Sequence, residues 1–445
     1  MKTFFAMTAL IFLMACSGSD ANENVATGGS ATATTGGAGS TGGSSTSTGG
    51  SSLSGGSLSS GGSASSGGSQ TTGGTQASGG SAQTGGVSTT GGSNTSPPTW
   101  NAGNPDGSCA AGVPAEGQPV DTSSPTMVVG AGTPDSCTYA ALSAAVAAGG
   151  IITFDCGSDP VTIAITATLD VPIDKDTVID GGQLVTLDGQ DSVQILRFDS
   201  PNFQALETRL TLQHLRLIHG KATPTEAIPT ADPPCSQGWN DGEGGALYMR
   251  DGNLTVIDCI FENNQAADLG PDTGGGAIYV VGSKHGTVIV GSTFTGNKAS
   301  NAGALGGLFC EHHIYNSLFT DNTATGHDAN NNDPGQCDAM NNGQNEIGSG
   351  GNGGAIYSDG QDVNVILCGD QIVNNHAGDN AFGGGLFFTS NNYGGSLSIA
   401  DTTMTDNTGG SWTNVQSGSI TSAGSAVGTN CQSITIENST IQGVP

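Results

Sequence analysis

The sequence predicts an all-β chain of short parallel strands that repeat and stack, with one short helix where the stack begins. Three observations carry this. A five-residue motif recurs: Gly-Gly-Ala-Leu-Tyr at 244–248, Gly-Gly-Ala-Ile-Tyr at 275–279 and again at 353–357, with looser copies at 302–305, 383–387 and 424–427. Copies are followed by an apolar-x-x-Asn element, at 261–264, 294–297, 319–322, 372–375 and 404–407, and Ala stands two residues past the Asn at 266, 299, 324 and 377. Composition is the third. With 75 glycines, 5% aromatic and 11% charged residues, strong helix formers are scarce, while Gly, Asn, Thr, Ser, Val and Ile suit strands and tight turns.

Taken in chain order, the first element is an export signal. Lys2 precedes an uncharged apolar run over 4–14, too short to cross a bilayer. Leu13-Met14-Ala15-Cys16 resembles the lipobox of bacterial lipoproteins, whose Cys is alkylated by diacylglycerol before cleavage. The resemblance implies a signal over 1–16 and a lipid on Cys16. Two or three acyl chains would anchor the chain stably, at ~0.8 kcal/mol per buried CH₂. Ser17, rather than Asp, is compatible with sorting to the outer membrane and cell surface. Residues 17–98 repeat Thr-Gly-Gly and Ser-Gly-Gly and contain no aromatic residue. Such a segment buries too little apolar area to offset its ordering entropy, so it is expected to be a disordered tether. As a Gly/Ser coil it would span ~50 Å r.m.s., and roughly 280 Å when stretched.

Residues 99–150 are expected to cap the stack. Ser136 precedes Tyr139, Leu142 and Val146, spaced as on an amphipathic helix and stopped by Gly149-Gly150. Cys137 and Cys156 flank this helix and are expected to staple it to the first strand by a disulfide.

The body, 151–445, is the repeat. The anchors Phe261, Phe294 and Phe319 lie 33 and 25 residues apart, and Ile372 and Met404 lie 32 apart, a solenoid period. Five residues before each anchor stands an aliphatic (Val256, Ile289, Ile314, Leu367, Ile399, Ile436). Three before stands a turn former (Asp258, Gly291, Asn316, Gly369, Asp401, Asn438). The chain therefore runs strand, bend, strand, and like residues stack on like. The recurrent Asn can bond to its neighbour one repeat on, forming an amide ladder. Coils ~4.8 Å apart that bury one aliphatic column make a single-stranded parallel β-helix.

Gly-Gly-Ala-Ile with Phe-x-x-Asn resembles the repeat of polymorphic outer-membrane proteins, within the pectin-lyase-like superfamily. The run Thr177-Val178-Ile179-Asp180-Gly181-Gly182, followed by Val185-Thr186-Leu187-Asp188-Gly189, resembles an early coil of such folds. The resemblance covers about 151–443 and implies a right-handed β-helix. Polymorphic outer-membrane proteins end in an autotransporter barrel. No alternating strands for one are recognised here, so attachment is expected through the lipid alone.

Charge and motif content narrow the function. With 9 basic against 38 acidic residues and a net charge of −29, the chain does not suit nucleic acid. Lyases of the resembled superfamily use calcium and an Arg or Lys base beside a uronide, and its glycosidases use two facing carboxylates. Neither cluster is recognisable, and Asp180, Asp188, Asp258 and Asp401 occupy turns. In His312-His313, strand alternation sends the rings to opposite faces. Cysteines lack the close spacing of a metal site.

The interruptions are more informative, because loops on a rigid scaffold carry function. The first insertion, 223–243, presents Trp239, Asp241 and Glu243, a group suited to stacking on a sugar and bonding its hydroxyls. The second, 325–351, carries Asp328, Asn330, Asn332, Asp333 and Asp338, whose oxygens near a Gly turn could enclose calcium, outside the EF-hand register. Between the ladder residue and the Ala stand Lys221, Gln265, Lys298, Thr323 and His376, a polar stripe along one edge if the coils stack in register. The reading that follows is a monomeric, surface-tethered, non-catalytic β-helix lipoprotein with no certain cofactor. Its expected partner is extracellular polysaccharide or a cell surface. A polysaccharide lyase or glycoside hydrolase, and a structural envelope protein, are the alternatives.

Overall fold

The computed structural model describes residues 100–225, 241–270, 273–327, 350–379, 381–390, 392, 394–409, 421–423, 426–429 and 431–441. Cys16, the 17–98 segment, Trp239 and the proposed calcium set lie outside them. The described part is all-β, with long parallel sheets, one α-helix at Tyr139–Ala148 and two short 3₁₀ turns.

Each repeat contributes three strands, and each strand pairs in parallel with its equivalents in the repeats before and after. The first type (Leu247–Arg250, Ile278–Val281, Leu305–Leu308, Ile356–Gly360, Leu386–Ser390) belongs to a nine-stranded sheet. The second (Asn253–Ile257, Thr287–Val290, His312–Tyr315, Asn364–Cys368, Ser396–Ala400, Ser433–Glu437) pairs Val256, Ile289, Ile314, Leu367, Ile399 and Ile436 in one column. The third (Ile260–Glu262, Thr293–Thr295, Leu318–Thr320, Gln371–Val373, Thr403–Thr405, Thr440–Ile441) aligns the anchors. Earlier, Arg209–Ile218 is continuous where later repeats break between second and third strands, and it pairs with both.

Alternation decides what enters the core. Phe261, Phe294 and Phe319 are fully buried, with rings stacked at centroid distances of 4.8 and 4.5 Å and nearly parallel planes. The turn formers three residues before the anchors all take left-handed backbone, φ +48° at Asp258, +51° at Asn316 and +50° at Asp401, which is why Asp, Asn or Gly stands there. A second left-handed corner lies two residues after each anchor, at Asn263, Gly296, Asp321, Asn374 and Asp406. The sequence reading did not separate it from the ladder Asn beside it.

The helix buries Leu142, Ala145 and Val146 and stops at Gly149, φ +63°. Its N-cap is Thr138, whose side chain accepts from Ala141 N at 3.2 Å, not Ser136. The Ser136 hydroxyl accepts from Ala131 N at 2.8 Å and shapes the preceding turn instead. Its outer face is alanine and serine rather than charged, so it is one-sided in burial more than in composition. Cys137 and Cys156 are joined by a disulfide.

Residues 100–126, expected to cap the stack, instead form a strap along the outside of the larger sheet. Thr122 Oγ1 donates to Asp180 at 2.7 Å, and Val120 exchanges two bonds with the Gln213 side chain at 2.9 and 3.1 Å. Farther along, Cys109 N donates to Asn316 Oδ1 at 2.8 Å, Ala110 N to Asp401 Oδ2 at 2.9 Å, and Cys109 is disulfide-bonded to Cys368. Beneath the strap, an outward apolar patch of Val288, Tyr315 and Cys368 is buried with Cys109.

Candidate functional site

The polar stripe is a regular array along one edge, and its position follows from the residues under it. Asn264, Asn297, Asn322, Asn375 and Asn407 form the amide ladder. Each Nδ2 donates to the next Oδ1 at 2.9–3.0 Å, in four successive steps. Each of the first four also donates its backbone N–H to that same oxygen, at 2.9–3.1 Å. The second donor hydrogen reaches a backbone carbonyl one repeat back, as from Asn297 to Phe261 O at 3.0 Å. The corner is thereby satisfied without water.

Directly after each ladder Asn, and after Gly220 one repeat earlier, comes a stripe residue, and these stand in register: Lys221 on Gln265, Gln265 on Lys298, Lys298 on Thr323, and Thr323 on His376. The structure adds Thr408 above His376. Lys298 and Thr408 are exposed and the other four are half-buried. The recurring Gly-Gly-Ala explains the close approach. Its first glycine takes positive φ (+66° at Gly244, +69° at Gly275). A Cβ on the second would lie 2.6 Å from Gln265 N at Gly245, and 2.5 Å from Lys298 N at Gly276. Larger residues there would push the stripe's backbone outward.

Both long insertions leave the stack at this edge, immediately after Ala222 and Ala324. The first is closed at its base by Asp241, which accepts from Thr225 N at 2.8 and 3.0 Å. Asp241 is therefore half-buried and engaged in its own loop. Glu243 is 2% exposed, which removes it from the sugar-facing group expected from sequence. Beside the stripe at the second insertion is an open cleft of about 440 Å³, lined by Ala324, Thr325, Gly326, His327, Gly378 and Asp379 among others. Among the described residues, no group of three or more His, Cys, Asp or Glu is placed to hold a metal ion.

A second polar cluster sits where the strap meets the sheet. His214 Nδ1 lies 2.9 Å from Asp180 Oδ1, and its Nε2 lies 3.8 Å from Asp258 Oδ2. Burial alone would raise the Asp180 carboxyl. Hydrogen bonds from His214, Thr122, Gln213 and Gly182 outweigh that and bring it down to about 2. The Asp180 bond raises His214 against the opposing effect of burial, while burial raises Asp258. All four polar contacts of Asp180 are internal, and Thr122 belongs to the strap, so this cluster ties strap to corner.

His312 and His313 do face opposite ways. His312 is fully buried, its Nδ1 2.7 Å from Thr287 Oγ1, and burial lowers it to about 4. His313 lies on the outer face, 3.4 Å from Glu311.

One array escaped sequence reasoning. The fifth residue of the motif alternates with the buried fourth, so it lies on the outer face of the nine-stranded sheet. Tyr248 pairs with Tyr279, and Tyr357 with Phe387, whose rings stack at 5.2 Å. Where Gly306 interrupts the column, the Tyr279 ring fills the space its Cβ would need. Period-2 alternation within Gly-Gly-Ala-Ile-Tyr was the available signal. The chain matches no protein-family model, no curated protein and no solved structure.

Proposed function

We propose that this chain is a right-handed parallel β-helix, displayed at a bacterial cell surface by a lipid on Cys16 and the tether over 17–98, that recognises extracellular polysaccharide without cleaving it. The β-helix reading draws support from the three strand types pairing in parallel with their equivalents, and the hand from the strong right-handed preference of parallel crossovers. The binding reading rests on one observation: six polar side chains stand in register along the edge from which both long insertions leave. Hydroxyl, amide and ammonium donors at a fixed ~4.8 Å spacing suit a chain of sugar hydroxyls, and the amide ladder fixes the backbone that carries them, so only side-chain freedom is lost on binding.

The test is retention on insoluble cell-wall glycans and on whole cells. Gln265→Ala with Thr323→Ala should reduce retention about tenfold with only a small change in melting temperature, because both side chains lie at the edge and neither enters the core. Glycan chain length should be unchanged after incubation. New reducing ends, or absorbance from an unsaturated uronide, would replace this reading with the enzymatic one, for which Asp180–His214–Asp258 is the observation in favour. Cys16→Ser should move the protein from the membrane fraction to the soluble one.

A further inference from the structure

We infer that the far end of the stack is an interface with a second copy of this chain, in which the strand Ser433–Glu437 pairs antiparallel with its own equivalent; the inference is independent of what the polar stripe binds. Two observations carry it. Among the described residues, Ser433–Glu437 pairs only with Ser396–Ala400, and Thr440–Ile441 only with Thr403–Thr405, so each leaves its other backbone edge without a strand. At the opposite end, the helix Tyr139–Ala148 packs against the strand Met127–Gly130. The second observation is exposure. Ile436 is 36% exposed, although Val256, Ile289, Ile314, Leu367 and Ile399 in the same column are at most 1% exposed. Ile434 is only half-buried, whereas Leu397, on which it stacks, is 1% exposed. Aliphatics that the repeat buries everywhere else are thus presented on an edge open to another strand.

The strand's own residues select the partner. Ser433-Ile434-Thr435-Ile436-Glu437 is nearly symmetric about Thr435. A two-fold axis at Thr435 sets Thr435 against Thr435, each Ile434 against the other copy's Ile436, and each Ser433 against the other copy's Glu437. Ile434 and Ile436 continue the columns of Leu397 and Ile399, so both lie on the core side and the aliphatic columns of the two copies meet. The outer face pairs hydroxyl with hydroxyl and hydroxyl with carboxylate, and no acid faces an acid. Such a self-complementary contact closes at two copies. Head-to-tail stacking would instead use the edge of Met127–Gly130, the end against which the helix packs. Each copy carries a net charge of −29, but at physiological salt the Debye length of ~8 Å confines repulsion to groups near the contact, where Glu437 meets Ser433.

The experiment is sedimentation equilibrium of the purified full chain carrying Cys16→Ser, which removes a lipid as a second route to association. A dimer that dissociates on dilution is expected. Thr435→Lys sets two ammonium groups face to face on the axis and should weaken the dimer about fivefold, whereas Ser433→Lys sets each new ammonium opposite Glu437 and should strengthen it by about as much. Both side chains are exposed, so far-UV circular dichroism should not change. Mild oxidation reads the register. Thr435→Cys should give a covalent dimer, because residues opposite one another in an antiparallel ladder lie within disulfide reach. Ser433→Cys should not, because its two copies would lie ~14 Å apart along the strands. A monomer at every concentration, an assembly larger than two chains, a dimer indifferent to Thr435→Lys, or cross-linking of Ser433→Cys as fast as of Thr435→Cys would each overturn the proposal.

Discussion

Asp370 shows how one residue can depart from its repeat and leave a measurable trace. The position two before each anchor is a small polar ladder: Cys259 N donates to Ser292 Oγ at 3.1 Å, Ser292 N to Ser317 Oγ at 3.2 Å, and Ser317 N to Asp370 Oδ1 at 2.7 Å. At the next step Asp370 N donates to Thr402 Oγ1 at 3.2 Å. Where its neighbours offer a hydroxyl, Asp370 offers a carboxyl that is 1% exposed, and burial pushes it up to about 8 despite bonds from Ser317 and Cys368 N–H groups. The unfolded chain releases this proton near 3.8, whereas the folded chain holds it to about 8. The folded state thus binds more protons across that window, and stability falls as pH rises through it. Asp370→Ser restores the hydroxyl of the neighbouring repeats. It should raise stability by about 1–3 kcal/mol at pH 8 and by much less at pH 4, read from denaturant melts at the two pH values. Equal effects at both would show that the side chain's shape, not its proton, matters there.

At the scale of elements, the amide ladder is the part of the fold that side-chain chemistry dictates most directly. Asn297 is fully buried, accepts from Asn264 N and Nδ2, and donates to Asn322 Oδ1 and Phe261 O. Asn297→Leu has nearly the right volume but leaves Asn264 N, one Asn264 Nδ2 hydrogen and Phe261 O without this partner, while Asn322 Oδ1 keeps the bond from the backbone N–H of residue 297. It should cost about 3 kcal/mol, whereas Thr295→Val on the outer face should cost little. A calorimetric melt of the two variants separates them, and equal midpoints would remove the ladder as a source of stability. This ladder, the anchor column and the stripe were legible because each repeats at one position: Phe-x-x-Asn fixes strand, corner and buried amide together. The strap was not, because 100–126 has no periodicity; its partners lie as much as 291 residues away, as for Ala110 on Asp401. Glu243 was misplaced for a related reason. Composition marks it as polar, but its position beside Gly244 at the corner carries it inward. The tyrosine column was legible in principle, since the motif contains it, but a residue within a structural signature is easily read as structure only.

For the molecule as a whole, the strap is what makes the repeats more than a sum of neighbours. A stack held only by adjacent pairing loses end repeats one at a time, since each contributes its own interface and nothing longer-ranged. The strap bonds to Asp180 and Gln213 near one end, to Asn316 in the middle and to Asp401 beyond it, and so couples repeats that never touch. The Cys109–Cys368 disulfide, with a sequence separation of 259, closes the first strand through the repeat of Asn364–Cys368 into one covalent loop, leaving the last repeats outside it. It also pins the strap over Val288 and Tyr315, which would otherwise form an exposed apolar patch on the outer sheet. Loss of this bridge should therefore act on cooperativity and not only on stability. In the Cys109→Ser, Cys368→Ser double variant, far-UV circular dichroism should remain unchanged, because strand pairing does not depend on the strap. The midpoint should fall by an amount equivalent to about 2–4 kcal/mol, and limited proteolysis should cut within 100–126 well before the body. The unfolding transition should also broaden as repeats regain independence. Cleavage of strap and body at the same rate as in the parent would mean that the hydrogen bonds alone hold the strap, and that the disulfide contributes no coupling between distant repeats.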